Sequence, residues 1–464
     1  MKRKDMGTEL FKFATYFVDA VLVVFSVYLS FLIQFKSDPP EYNIIPFFNI
    51  IPFIVLAYLI YMYVFGLGDL LKKGIGETIY SIGLTVVALF ITTAGITFFA
   101  RGFAYPRMVL VISTIVQFII LSIWRVVIWS ISRMLHGVKE CLIVGEGSLE
   151  YLTKKILMKQ RDLYNIKYIC GSKSKSLDQY VANVDVVFIC NDVELNVKQK
   201  IVDNCLTSRK SVYIIPGIYE IAILNSKLNR ADDIPMFKVK KLGLTLEARI
   251  FKRMLDIIVS LIGLILTSPI MIFVTIAIKL SDGGEIFYKQ ERVTINEKKF
   301  FVLKFRTMVM NAEKLTGPVL AGESDPRITK IGRILRATRI DELPQFLNIL
   351  FGDMSVVGPR PERLFFVEQF KNEIPDYKYR TIVKAGLTGL AQVLGKYSTT
   401  PEDKAIYDIL YIKNYSILLD LKLILQTIKI MFMRESSQGL KDDLPLNKLI
   451  KNTNAEITID KMED

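Results

Sequence analysis

Four long apolar stretches follow one another in the first third of the chain. They span residues 14–34, 44–64, 79–99 and 108–128. Each is close to the roughly 20 residues that a helix needs to cross a bilayer. A cleavable signal would account for only the first stretch, so the pattern predicts a retained block of four membrane-spanning helices within residues 1–135.

From about residue 139 the pattern changes to short apolar runs separated by polar, helix-like segments. Four runs predict buried parallel β-strands at residues 141–144, 166–170, 185–190 and 212–215. The first is followed by Gly145-Glu146-Gly147-Ser148 and a helix-like run, which is typical of a Rossmann-like βαβ unit. The third glycine of a dinucleotide motif is missing, and no acidic residue ends the second strand. We therefore predict a Rossmann-like cytosolic domain over residues 136–245 with a regulatory or assembly role, and dinucleotide binding is the alternative.

A further uncharged stretch covers residues 257–278, long enough to cross a bilayer. Ser268 and Pro269 stand near its centre, where proline removes a backbone donor and predicts a kink. Basic residues flank both ends, which favours a helix that bends at Pro269 and returns to the inner face. A kinked helix that crosses the membrane is the alternative.

Composition supports a membrane protein with basic cytosolic parts. Hydrophobic residues make up 51% of the chain while the net charge is +14, and the mean hydropathy is +0.35. Such charge suits anionic lipid head groups or phosphorylated substrates, and no nucleic-acid partner is expected. Basic residues gather on one side of the membrane block, which predicts that this side and everything after Arg133 are cytosolic. They are Lys2, Arg3, Lys4, Lys12, Lys72, Lys73, Arg133 and Lys139, against Lys36, Arg101 and Arg107 on the other side.

The positions of one arginine, the four cysteines and the only histidine limit the kinds of site that the chain is expected to hold. Arg125 lies inside the fourth predicted span, where we expect it to extend towards the inner face or to contact a lipid phosphate. The four cysteines have neither C-x-x-C spacing nor a neighbouring histidine, so a zinc site and a disulfide framework are not indicated. His136, the only histidine, follows a membrane segment, so we expect no catalytic histidine.

After residue 285 the chain interleaves basic and acidic residues with Gly and Pro in a way that packing alone does not require. Arginine forks neutralise phosphate oxygens, and a divalent cation needs carboxylates and bridging phosphates, so the combination suits phosphoryl transfer. The blocks are Phe287-Tyr288-Lys289-Gln290 with Arg292, Lys304-Phe305-Arg306-Thr307-Met308, Asp325-Pro326-Arg327, the spaced Arg333, Arg336 and Arg339, Asp341-Glu342-Leu343-Pro344-Gln345, and Gly358-Pro359-Arg360-Pro361-Glu362.

The adjacent acids Asp341 and Glu342 stand at a predicted helix start, because Pro344 is tolerated only in a first turn, and Gly352 is expected to end that helix. The helix end and nearby arginines are expected to keep a carboxylate ionised here, as a nucleophile forming an acyl phosphate requires. The alternative is structural, with Asp341 as an N-cap and Glu342 as a first-turn acid. The arginines could likewise form a solvated or lipid-facing surface.

Residues from about 252 to 434 closely resemble the bacterial sugar transferases that begin lipid-linked polysaccharide assembly, the polyprenyl-phosphate hexose-phosphate transferases. Many short blocks in one order carry this resemblance, and the first half of the chain looks like the long form of the family. The matching blocks are those given above, apart from Arg292 and the three spaced arginines, together with Lys252-Arg253/Asp256, Ser268-Pro269, Asn348, Gly352-Asp353-Met354-Ser355, Val357 and Gly386-Leu387-Thr388-Gly389.

The resemblance implies a fold and a reaction. It implies a membrane α-helical block of four spans, a Rossmann-like α/β domain, and an α-rich monotopic catalytic domain with a re-entrant helix broken at Ser268-Pro269 over residues 246–434. It implies Asp341 as nucleophile and Glu342 as its partner at Mg²⁺. A UDP-sugar would donate hexose 1-phosphate to undecaprenyl phosphate at the bacterial inner membrane, releasing UMP, to initiate capsule, exopolysaccharide or O-antigen synthesis. We assign substrate-phosphate binding to Lys304, Arg306, Arg327, Arg336, Arg339 and Arg360.

Some expectations remain open from the sequence. Galactose or glucose is favoured as the sugar, with N-acetylated and dideoxy sugars as alternatives, and a homodimer through the N-terminal half is expected. Other functions would be a membrane scaffold or regulator of polysaccharide assembly, or a nicotinamide-dependent enzyme. Many relatives have glycine where Thr294 stands and proline where Ala385 stands, which predicts altered local geometry. The polar tail, residues 435–464, is expected to be mobile.

Overall fold

The structure is a computed structural model in which the chain divides into two compact units. It describes residues 2–36, 38–68, 74–99, 105–309, 325–396, 399–431 and 457–460. The first unit comprises residues 1–215 and 443–464, and the second comprises residues 216–442. Lys72, Lys73 and Arg101, used above to predict orientation, lie outside the described residues.

The first unit begins with four long helices. Each is long and apolar enough to cross a membrane, on length and composition. Large apolar side chains such as Phe17 face outward, while Phe31 and Tyr58 are fully buried between the helices. The interior hydroxyl of Ser30 donates to the backbone carbonyl of Ser26 one turn earlier, so it is satisfied within its own helix. The helices are α1 (Lys2–Gln34), α2 (Glu41–Val64), α3 (Ile75–Phe99) and α4 (Arg107–His136).

Arg125 is buried between these helices, with 1% of its side chain exposed. It forms an ion pair with Asp19 of α1, and its Nη1 donates to the Leu67 carbonyl at 2.7 Å. Both expectations for Arg125, extension to the inner face and contact with a lipid phosphate, are therefore wrong. A charge inside a membrane is costly unless it is paired, and α1 supplies its partner.

A parallel sheet follows these four helices. The four predicted strands are confirmed, but β4 lies at an edge with Tyr213 48% exposed, so its predicted burial is wrong. The strands are β1 (Lys139–Val144), β2 (Tyr164–Cys170), β3 (Val186–Ile189) and β4 (Ser211–Ile214), and the helices are α5 (Leu149–Lys159), α6 (Leu177–Ala182) and α7 (Leu195–Thr207).

Part of the C-terminal tail joins this sheet. The tail strand Thr458–Asp460 pairs in parallel with β2, which gives the order tail strand–β2–β1–β3–β4. The tail was expected to be mobile, and this is wrong for these three residues because the exposed edge of β2 offers them backbone partners. The tail residues before 457 and after 460 lie outside the described residues.

The second unit combines a long apolar helix with short strands and helices. Its strands are β5 (Lys227–Ala231), β6 (Ile234–Lys238), β7 (Phe287–Val293), β8 (Lys299–Phe305), β9 (Ser355–Val357) and β10 (Gly386–Thr388). Its helices are α8 (Ile218–Ile223), α9 (Leu246–Asp282), α10 (Lys330–Ala337), α11 (Gln345–Phe351), α12 (Leu364–Glu373), α13 (Leu390–Leu394), α14 (Pro401–Lys413) and α15 (Ile417–Met431), with 3₁₀ turns at Ile295–Glu297, Ile340–Glu342 and Pro375–Ile382.

The first turns of α9 are fixed to the rest of this unit by polar contacts. Lys252 Nζ donates to Asp420 Oδ2 at 2.7 Å. In the last turn of α11, the Ile349 carbonyl accepts from Arg253 Nη1 at 2.6 Å and the Leu350 carbonyl accepts from Arg253 Nη2 at 2.7 Å. Asp256 Oδ1 accepts from Ser355 Oγ and from the Val356 amide, both at 2.8 Å. The Lys252-Arg253/Asp256 block therefore anchors the helix.

Residues on both sides of Pro269 in α9 pack against other elements of the second unit. Before Pro269, a Cβ at Gly263 would lie 2.8 Å from Phe346 of α11. After Pro269, Val274 packs in a cluster that Ile340 adjoins. The helix is continuous from Leu246 to Asp282 with Pro269 inside it, and only 11% of its most apolar region is buried. Residues before and after Pro269 thus both pack within the second unit.

Candidate active site

Asp341 and Glu342 lie in the 3₁₀ turn Ile340–Glu342, directly before α11. Arg339 enters the turn with φ 54°, a left-handed conformation that changes the chain direction after α10. Gly352 ends α11 with φ 93°, so the predicted end of this helix is confirmed. The predicted start at the two acids is wrong, because they lie in a separate 3₁₀ turn and α11 starts at Gln345, directly after Pro344. The turn presents two adjacent carboxylates next to β8 and α10.

Glu342 is held by two cations. Its Oε1 accepts from Lys304 Nζ at 2.9 Å and from Arg360 Nη2 at 2.7 Å. Only 12% of the Glu342 side chain is exposed. Burial alone would raise the pKa of Glu342, but Arg360 and Lys304 outweigh it and hold that pKa well below its usual range. Glu342 therefore stays ionised and in a fixed orientation.

Asp341 has a different environment although it is the next residue. Burial, followed by the negative charge of Glu342, raises the pKa of Asp341 to about 6. The charges of Lys304, Arg336 and Arg360 oppose this rise without cancelling it. Nearby cations thus keep Glu342 ionised as expected, whereas at Asp341 burial and the adjacent acid raise the pKa despite them. Among the described residues, no side chain donates a hydrogen bond to its carboxylate.

Arg336 is the member of the spaced arginine set that turns towards the acids. Its Nε donates to Thr307 Oγ1 at 2.9 Å, and its charge acts on Asp341. A Cβ at Gly332 would overlap the Thr307 carbonyl, so glycine permits this close approach of α10. Arg333 and Arg339 are exposed, and Arg339 lies beyond the end of α10, so the three arginines do not form one helical face.

Two other predicted phosphate-binding residues have partners of their own. Arg327 makes a two-pronged ion pair with Asp325, through Nε at 2.9 Å and Nη2 at 2.6 Å. The Arg327 hydrogen bonds hold the pKa of Asp325 down to about 2. The guanidinium of Arg306 lies against Gly284, where a Cβ would overlap it. The structure thus groups Lys304, Arg336 and Arg360 around the acids, and substrate binding by Arg306, Arg327 and Arg339 stays a prediction.

Lys304 is positioned by the side chain of Asn348. Asn348 Oδ1 accepts from the Leu303 amide at 2.9 Å, and its Nδ2 donates to the Phe301 carbonyl at 2.8 Å. A buried amide thus pairs with the backbone of β8 as a neighbouring strand would. This contact fixes the strand that carries Lys304 against α11.

Arg360 is positioned by interlocked glycine segments. The Gly358 amide donates to the Thr388 carbonyl at 2.7 Å, and the Gly386 amide donates to the Pro359 carbonyl at 2.8 Å. A Cβ at Gly358 would overlap the backbone next to Gly386, so both glycine blocks serve close backbone approach. The backbone contacts of the predicted Gly-Pro-Arg-Pro-Glu block therefore fix the position of Arg360.

Sequence reasoning missed the buried group behind Arg360. Arg380 Nε donates to Asp408 Oδ2 at 2.6 Å, and its Nη2 donates to the Arg360 carbonyl at 3.3 Å. Arg380 also contacts the Tyr377 hydroxyl. Asp408 lies on α14 and is separated from Arg380 by 28 residues, so no local motif links them. The three-residue spacing of Tyr377 and Arg380 was the only signal available.

Thr294 and Ala385, the two departures from the family pattern, contact each other. The Ala385 amide donates to Thr294 Oγ1 at 3.1 Å, and that hydroxyl donates to the Asp353 carbonyl at 3.0 Å. Thr294 has an extended backbone that any residue can adopt. The threonine hydroxyl therefore pairs with an amide N–H that a proline would not have.

The donor set at the acidic turn suits magnesium. Magnesium binds through one or two carboxylates and completes its coordination with water and substrate phosphates. Asp341 and Glu342 supply two carboxylates, and Asp341 has no competing donor among the described residues. No group of three or more His, Cys, Asp or Glu side chains that could hold a metal occurs among the described residues. A metal here would therefore depend on phosphate oxygens from a substrate.

A known protein family matches most of the second unit. The model of the bacterial sugar transferase family matches residues 247–434. A UDP-N-acetylgalactosamine–undecaprenyl-phosphate N-acetylgalactosaminephosphotransferase from Aeromonas hydrophila is 40% identical over 46% of this chain and 51% of its own. A UDP-glucose:undecaprenyl-phosphate glucose-1-phosphate transferase from Klebsiella pneumoniae is 36% identical over 59% of this chain and 60% of its own.

The chain thus spans about half to three fifths of the length of these two relatives. A shorter relative is covered almost completely. An exopolysaccharide production protein from Rhizobium leguminosarum bv. phaseoli is 38% identical over 187 residues, which are 39% of this chain and 94% of the relative. The acidic turn, its cations and the interlocked glycine blocks all lie within the matched region, and the chain belongs to the bacterial sugar transferase family.

Proposed function

We propose that the chain transfers a hexose 1-phosphate from a UDP-sugar to undecaprenyl phosphate and thereby initiates assembly of a surface polysaccharide. The observation that carries this proposal is the acidic turn, where Glu342 is fixed by Lys304 and Arg360 while Asp341 has no hydrogen-bond donor among the described residues. Relatives named for glucose, galactose and N-acetylgalactosamine transfer support the reaction class and leave the sugar open.

In the first step an Asp341 carboxylate oxygen attacks the phosphorus that bears the sugar. A new O–P bond forms, and the bond to the UMP oxygen breaks with its electron pair. In the second step a phosphate oxygen of the lipid attacks the same phosphorus, forms the diphosphate and releases the Asp341 carboxylate. With a pKa of about 6, Asp341 is mostly ionised at neutral pH and is also more basic than an ordinary aspartate.

The surrounding charges bind and orient the diphosphate. Arg336 and Arg360 face the acidic turn, where their guanidinium groups can bind phosphate oxygens as forks. Lys304 holds Glu342 in place, so that Asp341 and Glu342 together can hold magnesium against the donor phosphates. When bound, magnesium would neutralise the charge that develops on the departing UMP.

We further propose that α9 enters the inner leaflet of the bacterial inner membrane and returns, so that the catalytic domain stays cytosolic with the UDP-sugar. Packing of residues on both sides of Pro269 within the second unit supports this arrangement, as do exposed apolar side chains such as Leu266 and Phe273 at 71% and 73%. Labelling of a Ser281→Cys variant with an impermeant maleimide tests it. Reaction from the outside of intact cells would refute a re-entrant helix.

The transfer reaction is tested with Asp341→Asn in isolated membranes. We expect this near-isosteric change to abolish transfer of label from UDP-sugar into lipid while the protein stays folded. Asp353→Asn, an acid just beyond α11, is the matched control and should retain transfer. Near-normal turnover by Asp341→Asn would refute the nucleophile assignment. The alternative function is that of a membrane scaffold or regulator. It would be supported if the wild-type chain showed no turnover with any UDP-sugar.

A further inference from the structure

The Rossmann-like domain holds a carboxylate at the position where such folds hold a phosphate. Asp192 follows β3, and its Oδ2 accepts from the Ser148 amide at 2.8 Å and from Ser148 Oγ at 2.6 Å. Its Oδ1 accepts from the Glu146 amide at 3.2 Å. These donors belong to the turn that leads from β1 into α5. The turn's anion-binding groups are thus engaged by a side chain of the same domain.

The location of Asp192 in the sheet is that of a ligand crevice. In open parallel sheets, ligands bind beyond the carboxyl ends of the strands where the strand order reverses. Here β2 and β3 lie on opposite sides of β1, so the order reverses between β1 and β3. Asp192 reaches from the end of β3 to the turn after β1, and therefore bridges this crevice.

The position at which a dinucleotide would place its ribose is also occupied by contacts within the protein. Dinucleotide-binding domains place an acidic residue at the end of the second strand to bind a ribose hydroxyl. In this chain Ser172 follows β2, and its amide donates to Glu146 Oε1 at 3.0 Å, while its hydroxyl contacts the same oxygen. A dinucleotide would therefore have to displace Asp192 and place its pyrophosphate beside the Glu146 carboxylate.

The first glycine of the turn is explained by packing. A Cβ at Gly145 would lie 2.7 Å from Cys190 Sγ and 2.9 Å from Cys190 Cβ. Glycine at 145 thus allows the ends of β1 and β3 to approach each other, which requires no ligand.

We infer that the Rossmann-like domain is closed to dinucleotides, because Asp192 acts as a built-in anion that replaces the pyrophosphate and ties β3 to α5. Burial alone would raise the pKa of Asp192, but hydrogen bonds from Ser148 and Glu146 outweigh it and lower that pKa. The carboxylate therefore stays charged at neutral pH, as a phosphate would. This inference is independent of the proposed transfer reaction.

The test uses the full chain in detergent and two readouts. Equilibrium dialysis with radiolabelled NAD⁺ and NADPH should detect no binding by the wild type up to millimolar ligand. Hydrogen exchange should be faster at the Glu146 and Ser148 amides in Asp192→Ala, by about tenfold to a hundredfold, because a charge-assisted acceptor is lost. Inorganic phosphate should slow this exchange in the variant, and chloride at equal ionic strength should not.

Asp203→Ala is the matched control, since Asp203 is an exposed acid on α7 of the same domain. It should leave exchange at both amides unchanged. Dinucleotide binding by the wild type would overturn the inference, and so would unchanged exchange in Asp192→Ala. Faster exchange that phosphate does not reverse would contradict the assignment of an anion position.

Discussion

The contact between Thr294 and Ala385 predicts a strong coupling between two substitutions. Thr294→Gly leaves the buried Ala385 amide without its acceptor at 3.1 Å, which costs about 1–3 kcal/mol. In Ala385→Pro, a Cδ atom bonded about 1.5 Å from the nitrogen would approach Thr294 Oγ1 to roughly 2 Å. Such overlap in a packed site costs about 1–3 kcal/mol or more.

The double variant removes both problems, because glycine leaves room for the proline ring and proline has no amide to satisfy. Only the hydrogen bond from Thr294 to the Asp353 carbonyl is lost, at about 1 kcal/mol. We therefore expect the double variant to be at least about 2 kcal/mol more stable than the sum of the single effects predicts.

Hydrogen exchange at the β9 and β10 amides measures this coupling, because the Ser355 amide donates to the Ala385 carbonyl and reports opening of the pair. Thr294→Ser keeps the hydroxyl and is the control, with exchange close to that of the wild type. Additive effects of Thr294→Gly and Ala385→Pro would refute the reasoning.

Two further predictions concern ionised groups. The rate of the first half-reaction is measured as UMP release without lipid acceptor. At limiting magnesium this rate should fall as the pH drops through about 6, because Asp341, with its raised pKa, becomes protonated there. Saturating magnesium should move this midpoint lower by favouring the carboxylate, and a midpoint near 4 at limiting magnesium would contradict the raised pKa. In the membrane block, Asp19→Asn should cost about 3–5 kcal/mol because Arg125 stays buried without its ion pair, seen as aggregation at lower temperature on size-exclusion chromatography. Equal behaviour of Asp19→Asn and the exposed control Asp38→Asn would contradict this.

The sequence predicted those parts of the fold whose signal is local. The long apolar helices follow from the length of apolar runs, and the strands of the Rossmann-like sheet follow from short apolar runs between turns. The end of α11 at Gly352 follows from the left-handed conformation that glycine adopts easily. Asp341 and Glu342 were found because they are adjacent and stand in an ordered series of blocks.

The parts that the sequence did not predict depend on contacts between distant residues. Arg125 and its partner Asp19 are 106 positions apart, so periodicity alone could not pair them. The pKa of Asp341 depends on how much of it is buried, which no motif specifies. Asp192 reaches back 44 residues to Ser148, and a search for glycine patterns does not include it.

Detection of a covalent intermediate at Asp341 tests the proposed chemistry most directly. Purified wild-type protein would be incubated with magnesium and a UDP-sugar labelled at the sugar-bearing phosphorus, without lipid acceptor. We expect UMP release and a hydroxylamine-sensitive sugar-phosphate adduct that peptide mass spectrometry places on Asp341, with no adduct in Asp341→Asn. Formation of the lipid product on later addition of undecaprenyl phosphate, with no adduct at Asp341 at any time, would contradict the nucleophile assignment.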